Sequence, residues 1–295
     1  MTTPRETADN VLATAAQLAG LDATNAVMIR DGSNVMYQLP GRVVARIGPE
    51  HTDDNAARQI EVARWLTDSD LAVVRALDGV PQPTLVGNRP VTWWEQLPEH
   101  RPATTAELGS VLRALHALSP PTHPKLPRFD PLAGLEERVA AAQHLPNDDR
   151  DWLSQRIQEL REQLSNLKLD QSNSVIHGDA WQGNIAVPGT GTPILLDLEH
   201  VAQGHPDWDL IPLAVDHVDF ARLNHTDYHD FVAAYGGRDV TTSSAFRVFA
   251  DIQELRWVVF VLGKAANSVH AARETRHRIA CLSGEIPRPW TWTAF

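Results

Sequence analysis

Val175-Ile176-His177-Gly178-Asp179-Ala180-Trp181-Gln182-Gly183-Asn184-Ile185 is followed shortly by Pro193-Ile194-Leu195-Leu196-Asp197-Leu198-Glu199. Val175-Ile176 reads as the end of an apolar element, and His177 to Asn184 as a polar loop. Ile185–Val187 is then a short strand, Pro188–Thr192 a tight turn and Ile194–Leu196 the returning strand. A hairpin brings its two ends together, so Asn184 just before it and Asp197 just after it are expected to be neighbours. Mg²⁺ prefers hard oxygen ligands, commonly a carboxylate and an amide carbonyl together with phosphates and water. Asp197 and Asn184 offer one of each. Asp179 lies on the same loop, five residues before Asn184. It can hold a hydroxyl in line with a metal-bound phosphate and receive its proton. An isolated Asp-x4-Asn pair would carry no weight, because both residues are common in turns. Here His, Asp, Asn and a second Asp occur in order, with two apolar strands in the intervening gap.

Upstream of this segment the chain is β-rich. Thr7–Ala19 has helical periodicity, with Val11, Leu12, Ala15, Ala16 and Ala19 on one side. Ala26–Arg30, Val35–Leu39 and Val43–Ile47 read as strands, divided by Asp31-Gly32-Ser33-Asn34 and by Pro40-Gly41, so they form an antiparallel meander. Asp53–Leu66 is helical, and Thr84–Val86 and Pro90–Trp94 are strand-like. Leu97–Pro102 reads as a linker. Thr105–Leu118 is an amphipathic helix ended by Ser119-Pro120-Pro121, and Leu132–His144 and Asp151–Leu167 are further helices. From Trp208 onward the chain is mostly helical, with a break at Gly236-Gly237. The expected fold is α+β and bilobal. A β-rich lobe over residues 1–97, with one long helix, precedes a larger helical lobe over 98–295, and a ligand cleft lies at their junction.

The composition narrows the function classes. Of 295 residues, 37 are acidic and 26 basic, a net charge of −11. That balance disfavours nucleic acid and anionic membrane surfaces as partners. A single cysteine, Cys281, allows neither an intrachain disulfide nor a thiolate zinc cage. Met1 to Asn10 lacks the apolar core of a signal peptide, and Trp257–Leu262 is too short to span a bilayer. The expected setting is the cytoplasm. The pair His225-x3-His229 reads as a helix surface, since no further convergent ligand is evident.

His177-Gly178-Asp179, Asn184 and Leu196-Asp197-Leu198-Glu199 resemble the aminoglycoside phosphotransferase and choline kinase superfamily, small-molecule kinases with a protein-kinase-like fold. The segment also follows the protein-kinase template of His-x-Asp-x4-Asn followed by an Asp. Gly178, where protein kinases carry Arg, resembles the small-molecule branch, as does His205-Pro206-Asp207-Trp208-Asp209-Leu210. The resemblance runs from about Asn25 to Trp257. It implies transfer of the γ-phosphate of ATP or GTP to a hydroxyl of a small molecule, with Mg²⁺ on Asn184 and Asp197 and Asp179 as catalytic base. His177 would hold the loop, and Asp209 would brace it or face the acceptor.

The same resemblance places Arg46 at the phosphate-binding position of the N-terminal sheet, where Lys is usual. Its partner acid should lie on the helix Asp53–Leu66. Spacing from Trp65-Leu66 points to Gln59, whereas Glu61 is the nearby carboxylate. The two lie roughly 200° apart on an ideal helix, so both cannot face Arg46; Glu61 is the favoured partner. Ser33, in the loop Asp31–Asn34, would touch phosphates. Trp93-Trp94-Glu95-Gln96-Leu97 would meet the base through the backbone of Glu95, Gln96 and Leu97. Glu199, Asp207, Trp208 and Asp209 are candidate acceptor contacts, and the acids Asp216, Asp219 and Glu254 would suit a cationic acceptor such as an amino sugar or aminoglycoside. The alternative is a pseudokinase that binds nucleotide without transfer. A protein kinase is disfavoured: Asp-Phe-Gly, Ala-Pro-Glu and an activation segment are all lacking.

Overall fold

The computed structural model describes residues 7–169, 173–189 and 191–295. The beginning of the N-terminal stretch and Thr190 of the expected tight turn lie outside the described residues. The fold is α+β, and the chain divides into two compact units. The first comprises residues 1–103, 121–126 and 182–201. The second comprises 104–120, 127–181 and 202–295. The units therefore differ from a single cut after residue 97: the hairpin segment 182–201 belongs with the N-terminal sheet.

In the first unit, helix α1 (Ala8–Ala19) is capped by the Thr7 side chain and ended by Gly20 at φ 70°. Strands β1 (Val27–Asp31), β2 (Val35–Leu39) and β3 (Val43–Ile47) form the meander. Gly41 and Arg42 both take positive φ between β2 and β3, the conformation a tight hairpin needs. Helix α2 (Asp53–Asp68) follows, then β4 (Thr84–Val86) and β5 (Arg89–Glu95). The sheet order is β1-β2-β3-β5-β4, antiparallel throughout. Alternation along β3 turns Val43, Ala45 and Ile47 into the core formed with Val11, Leu12 and Ala15 of α1. Arg46 is thereby placed on the opposite face, on the side of α2.

The expected linker ends in a strand. β6 (His100–Pro102) pairs with β8 (Ile185–Pro188), which pairs with β9 (Ile194–Leu195). Three residues ending in proline have no strand signal of their own; the partner strand organises them. β9 is also fixed on its other side, where Leu195 N donates to Ala72 O and Val74 N donates to Leu195 O, both at 2.9 Å.

The second unit is largely helical. α3 (Thr105–His116) begins in a capping box between Thr104 and Glu107 and buries Leu108, Val111, Leu112 and Leu115. α4 (Leu135–Ala141) is shorter than the expected Leu132–His144, because Gly134 enters it at φ 71° and Ala142 leaves helical geometry. α5 (Asn147–Asn166) starts earlier than expected, directly after Pro146, with Asp148 and Asp149 favourably in its first turn. β7 (Ser174–Ile176) pairs antiparallel with β10 (Ala202–Gly204). The remaining helices are α6 (Asp207–Val218), α7 (His225–Tyr235), α8 (Phe246–Ala265) and α9 (Val269–Leu282). Gly236, at φ 116°, ends α7 at the expected break. Among the described residues no helix is long and apolar enough to cross a membrane.

Candidate active site

In the first unit the hairpin joins the two residues expected to hold a metal. Ile185 pairs with Leu195, and Leu196 N donates to Asn184 O at 2.9 Å. Asp197 follows at φ 52°, a left-handed conformation that aspartate adopts more readily than most residues. Its Oδ1 is buried and accepts no hydrogen bond among the described residues. A buried carboxylate oxygen that accepts no hydrogen bond is costly, and a bound cation would satisfy it. The donor set, one carboxylate and one amide carbonyl, fits Mg²⁺ completed by phosphate oxygens and water.

Arg46 is held on several sides. Its Nη1 donates to Gln59 Oε1 at 2.7 Å and its Nη2 to Glu199 Oε2 at 2.8 Å. With its amide oxygen turned to the guanidinium, Asn34 accepts from Nε at 3.2 Å and Nη2 at 2.7 Å. Asp197 Oδ1 stands 3.5 Å from Nη2, close enough for charge attraction. The neighbour on α2 is thus Gln59, and the expectation of Glu61 is corrected. Gln59 shares the buried stripe of α2 with Val62, Ala63 and Leu66, whereas Glu61 points to solvent.

Glu199 is also reassigned. It does not join the acceptor candidates; it sits in the first unit beside Arg46. Asn55 Nδ2 donates to its Oε1 at 3.4 Å, and Arg58 Nη2 donates to its backbone carbonyl at 3.1 Å. Arg58 also donates to Asn55 Oδ1 at 2.7 Å. Arg58 and Gln59 lie three and four residues, about one turn, after Asn55 on α2, and the three bring polar groups to Arg46 and Glu199. That spacing was available in the sequence and is the signal that would have found Asn55 and Arg58. A pocket borders this group, lined by Ser33, Asn34, Arg46, Thr52, Asn55 and Gln59. In the segment Trp93–Leu97, Trp93 and Trp94 are core residues. The Glu95 and Gln96 amides already donate to Arg75 O and Arg42 O. These two N–H groups are therefore not available to a base in this conformation, which leaves the Leu97 amide and the carbonyls.

In the second unit, Asp209 organises the His-Gly-Asp turn. It is fully buried. Its Oδ2 accepts from His177 N at 2.6 Å and its Oδ1 from Gly178 N at 2.8 Å. His116 Nε2 lies 3.0 Å from Oδ2, and its Nδ1 lies 2.8 Å from the Tyr235 hydroxyl. His116 is thus held between the Asp209 carboxylate and the Tyr235 hydroxyl. Burial pushes the Tyr235 phenol up to about 12, so it keeps its proton. Burial raises the Asp209 carboxyl, but the hydrogen bond and charge of His116, with the charge and amide of His177, more than reverse this and lower it. Asp209 therefore braces the turn; buried behind it, Asp209 is not an acceptor contact. No local signal pointed to His116, which is 93 residues away in sequence.

Gly178 takes φ 83°, a conformation that explains glycine at this position. Asp179 N donates to His177 Nδ1 at 3.3 Å. Trp208 Nε1 donates to Gly178 O at 3.3 Å, and the indole is buried against Phe129 and Phe249. Asp207 is buried and bonded by Arg238 through both oxygens, at 2.6 and 2.8 Å, so it too is withdrawn from the acceptor candidates. The acids expected to suit a cationic acceptor are likewise paired. Asp219 and Glu254 are buried against Arg247 and Arg288, and Asp216 is paired with Arg222. Burial pushes the Glu254 carboxyl well above the usual carboxylate range.

Residues 16–247 match the model of the phosphotransferase enzyme family, APH. The chain belongs to this family. As a member it is a kinase that transfers a phosphoryl group to an alcohol of a small molecule, within the aminoglycoside phosphotransferase and choline kinase superfamily. No curated protein matches the chain in sequence. Among solved structures, the amicoumacin kinase hAmiN in complex with AMP-PNP, Ca²⁺ and Ami is 14% identical, with a TM-score of 0.72 over 96% of this chain and 95% of that one. A choline/ethanolamine kinase family protein from Mesorhizobium loti is 19% identical, with a TM-score of 0.67 over 95% of each chain. The aminoglycoside phosphotransferase APH(3'')-Id from Streptomyces rimosus is 19% identical, with a TM-score of 0.63 over 85% of this chain and 99% of that one. At these identities the similarity establishes the kinase fold.

Proposed function

We propose that this family member is a Mg²⁺-dependent kinase that moves the γ-phosphate of ATP or GTP to a hydroxyl of a small molecule. The acceptor would be an aminoglycoside or other antibiotic, an amino sugar or a sugar. The observation that carries the reading is Asp197: a left-handed residue with a buried, unbonded carboxylate oxygen at the end of the hairpin that begins at Asn184. Asn184 and Asp197 would hold Mg²⁺, which when bound neutralises phosphate charge. Residues 1–97 would supply most of the nucleotide contacts and 98–295 the acceptor and the base.

The remaining roles fall to the chain itself. Arg46, oriented by Gln59 and Asn34, would bind phosphate oxygens in place of the usual lysine. Its planar fork suits bidentate contact. Ser33 and the loop around it would cover the phosphates. Asp179 would orient the acceptor hydroxyl and take its proton, on a turn kept rigid by Asp209 and Trp208. Positioning and charge do most of the work in phosphoryl transfer, so rigidity of this turn is itself catalytic support.

The test is nucleoside diphosphate release with Mg²⁺ and ATP or GTP across aminoglycosides, amino sugars, neutral sugars, choline-like alcohols and nucleosides. Asp179→Ala is run alongside. Acceptor-dependent release that falls by at least about a hundredfold in the variant is expected. Release unaffected by the substitution would remove Asp179 from its role. Mg²⁺-nucleotide binding with no transfer to any acceptor would favour the pseudokinase reading.

A further inference from the structure

The second unit carries a cation beside the His-Gly-Asp turn that neither the family motif nor the sequence reading assigns. Arg256, on α8, lies over two aromatic rings: its guanidinium carbon is 5.7 Å from the Trp208 ring centroid and 6.0 Å from that of Phe129. Its Nη1 donates to Pro131 O at 2.9 Å. Trp208 in turn donates to Gly178 O, next to Asp179. Arg256 is thus tied through one indole to the turn that bears the candidate base. A guanidinium has five N–H donors. Among the described residues Arg256 makes that one hydrogen bond, and none of its nitrogens is buried without a partner. Its other donors therefore reach accessible space. Burial pushes Arg256 below its ordinary value, and the charge of Asp179 acts against that fall.

Most of the surrounding acids are committed to internal partners. Asp207, Asp209, Asp219 and Glu254 are buried on internal partners. Asp251 is paired with Arg156 and Arg247. Arg138, whose charge also acts on Arg256, is exposed. The one nearby acid on the Phe129 loop, Asp130, accepts from Leu132 N at 2.9 Å. Asp179 and Asp130 thus offset Arg138 around Arg256, so an anion would be selected by direct contact with the guanidinium and not by the field of the surface.

We infer that Arg256 is a specificity-determining residue that binds an anionic group of the acceptor, so that the acceptor class is a hydroxy compound bearing a carboxylate or phosphate rather than ammonium groups. The Phe129 and Trp208 rings flank the guanidinium, and its unused donors would meet the anion. This rests on the kinase reading, with Asp179 serving the acceptor hydroxyl.

Binding is measured apart from transfer, so that the two readings fail separately. Isothermal titration of the full chain, with Mg²⁺ and nucleoside diphosphate present, compares glucuronate, glucose and glucosamine, and then galacturonate, galactose and galactosamine. The uronates are expected to bind at least about tenfold tighter than the amino sugars. Arg256→Gln should abolish that preference, and Arg256→Lys should keep part of it. Thermal unfolding of each variant checks the fold, and Arg256→Lys carries the comparison if Arg256→Gln does not fold. Amino sugars binding as tightly as uronates, undetectable binding of both uronates, or a preference that survives Arg256→Gln would overturn the assignment. Asp179→Ala should retain the preference while losing transfer.

Discussion

Asp209 shows how one buried carboxylate can fix a catalytic turn. Two consecutive backbone amides and His116 converge on it, and no water is needed to satisfy them. Because the folded carboxyl titrates below its ordinary value of 3.8, the stability it contributes is fully present above that pH. It is lost as pH falls through the lower, folded value. Asp209→Asn removes the charge and one acceptor oxygen, and about 2–4 kcal/mol of stability should go with them near neutral pH. Urea unfolding across a pH series checks this. The gap between the two proteins should narrow as the pH drops below about 4, where the unfolded chain's carboxyl protonates, and close through the lower, folded value. A gap that stays constant would mean that Asp209 does not act as an anion. The His-Gly-Asp-x4-Asn spacing made the turn legible. Its brace was less so, because His116 and Tyr235 approach from helices far away in sequence.

At the scale of elements, α3 and α7 are packed through a glycine. A Cβ at Gly109 would lie 2.6 Å from Phe231 O and 3.2 Å from Tyr235 N, both backbone atoms of α7. In an isolated helix Gly→Ala stabilises by about 1 kcal/mol. Here the added methyl meets backbone that cannot rotate away, and overpacking costs about 1–3 kcal/mol or more. Gly109→Ala should therefore lower the melting temperature, and it should lower kcat as well, since α3 carries His116 and α7 carries Tyr235. A raised melting temperature would contradict the close approach. The apolar stripe of α3 was plain from its spacing of three and four. The glycine within it was not, because a helix sequence does not say where a neighbour comes near. β6 was missed for a related reason: it is a strand only because β8 lies beside it. The α2 partner of Arg46 went the other way. The helical phase shared with Val62, Ala63 and Leu66 selected Gln59, and preference for a carboxylate pointed wrongly to Glu61. The carboxylate that Arg46 does meet, Glu199, comes from 153 residues away.

For the molecule as a whole, the readable part of the site was the part written in one stretch, from His177 to Glu199. What surrounds it was assembled from distant segments, including Asn34, Asn55 and Arg58 around Arg46, and Phe129 and Arg256 around Trp208. This division gives a whole-protein prediction. If Mg²⁺-nucleotide is held by Asn184, Asp197 and Arg46, it binds only the folded chain and must stabilise it by mass action. At a free concentration a hundredfold above Kd that amounts to about 2.7 kcal/mol. For a chain of this size the rise in melting temperature should be about 5 °C or more. Asp197→Ala should lose the Mg²⁺-dependent part of the rise, since Oδ1, which accepts no hydrogen bond, is the group the cation would satisfy. Asp179→Ala should keep it, because its proposed partner is the acceptor hydroxyl. Thermal scans of the three proteins with and without Mg²⁺ and nucleotide separate these outcomes. An Asp197→Ala protein that is still stabilised by Mg²⁺-nucleotide as strongly as the wild type would place the metal elsewhere.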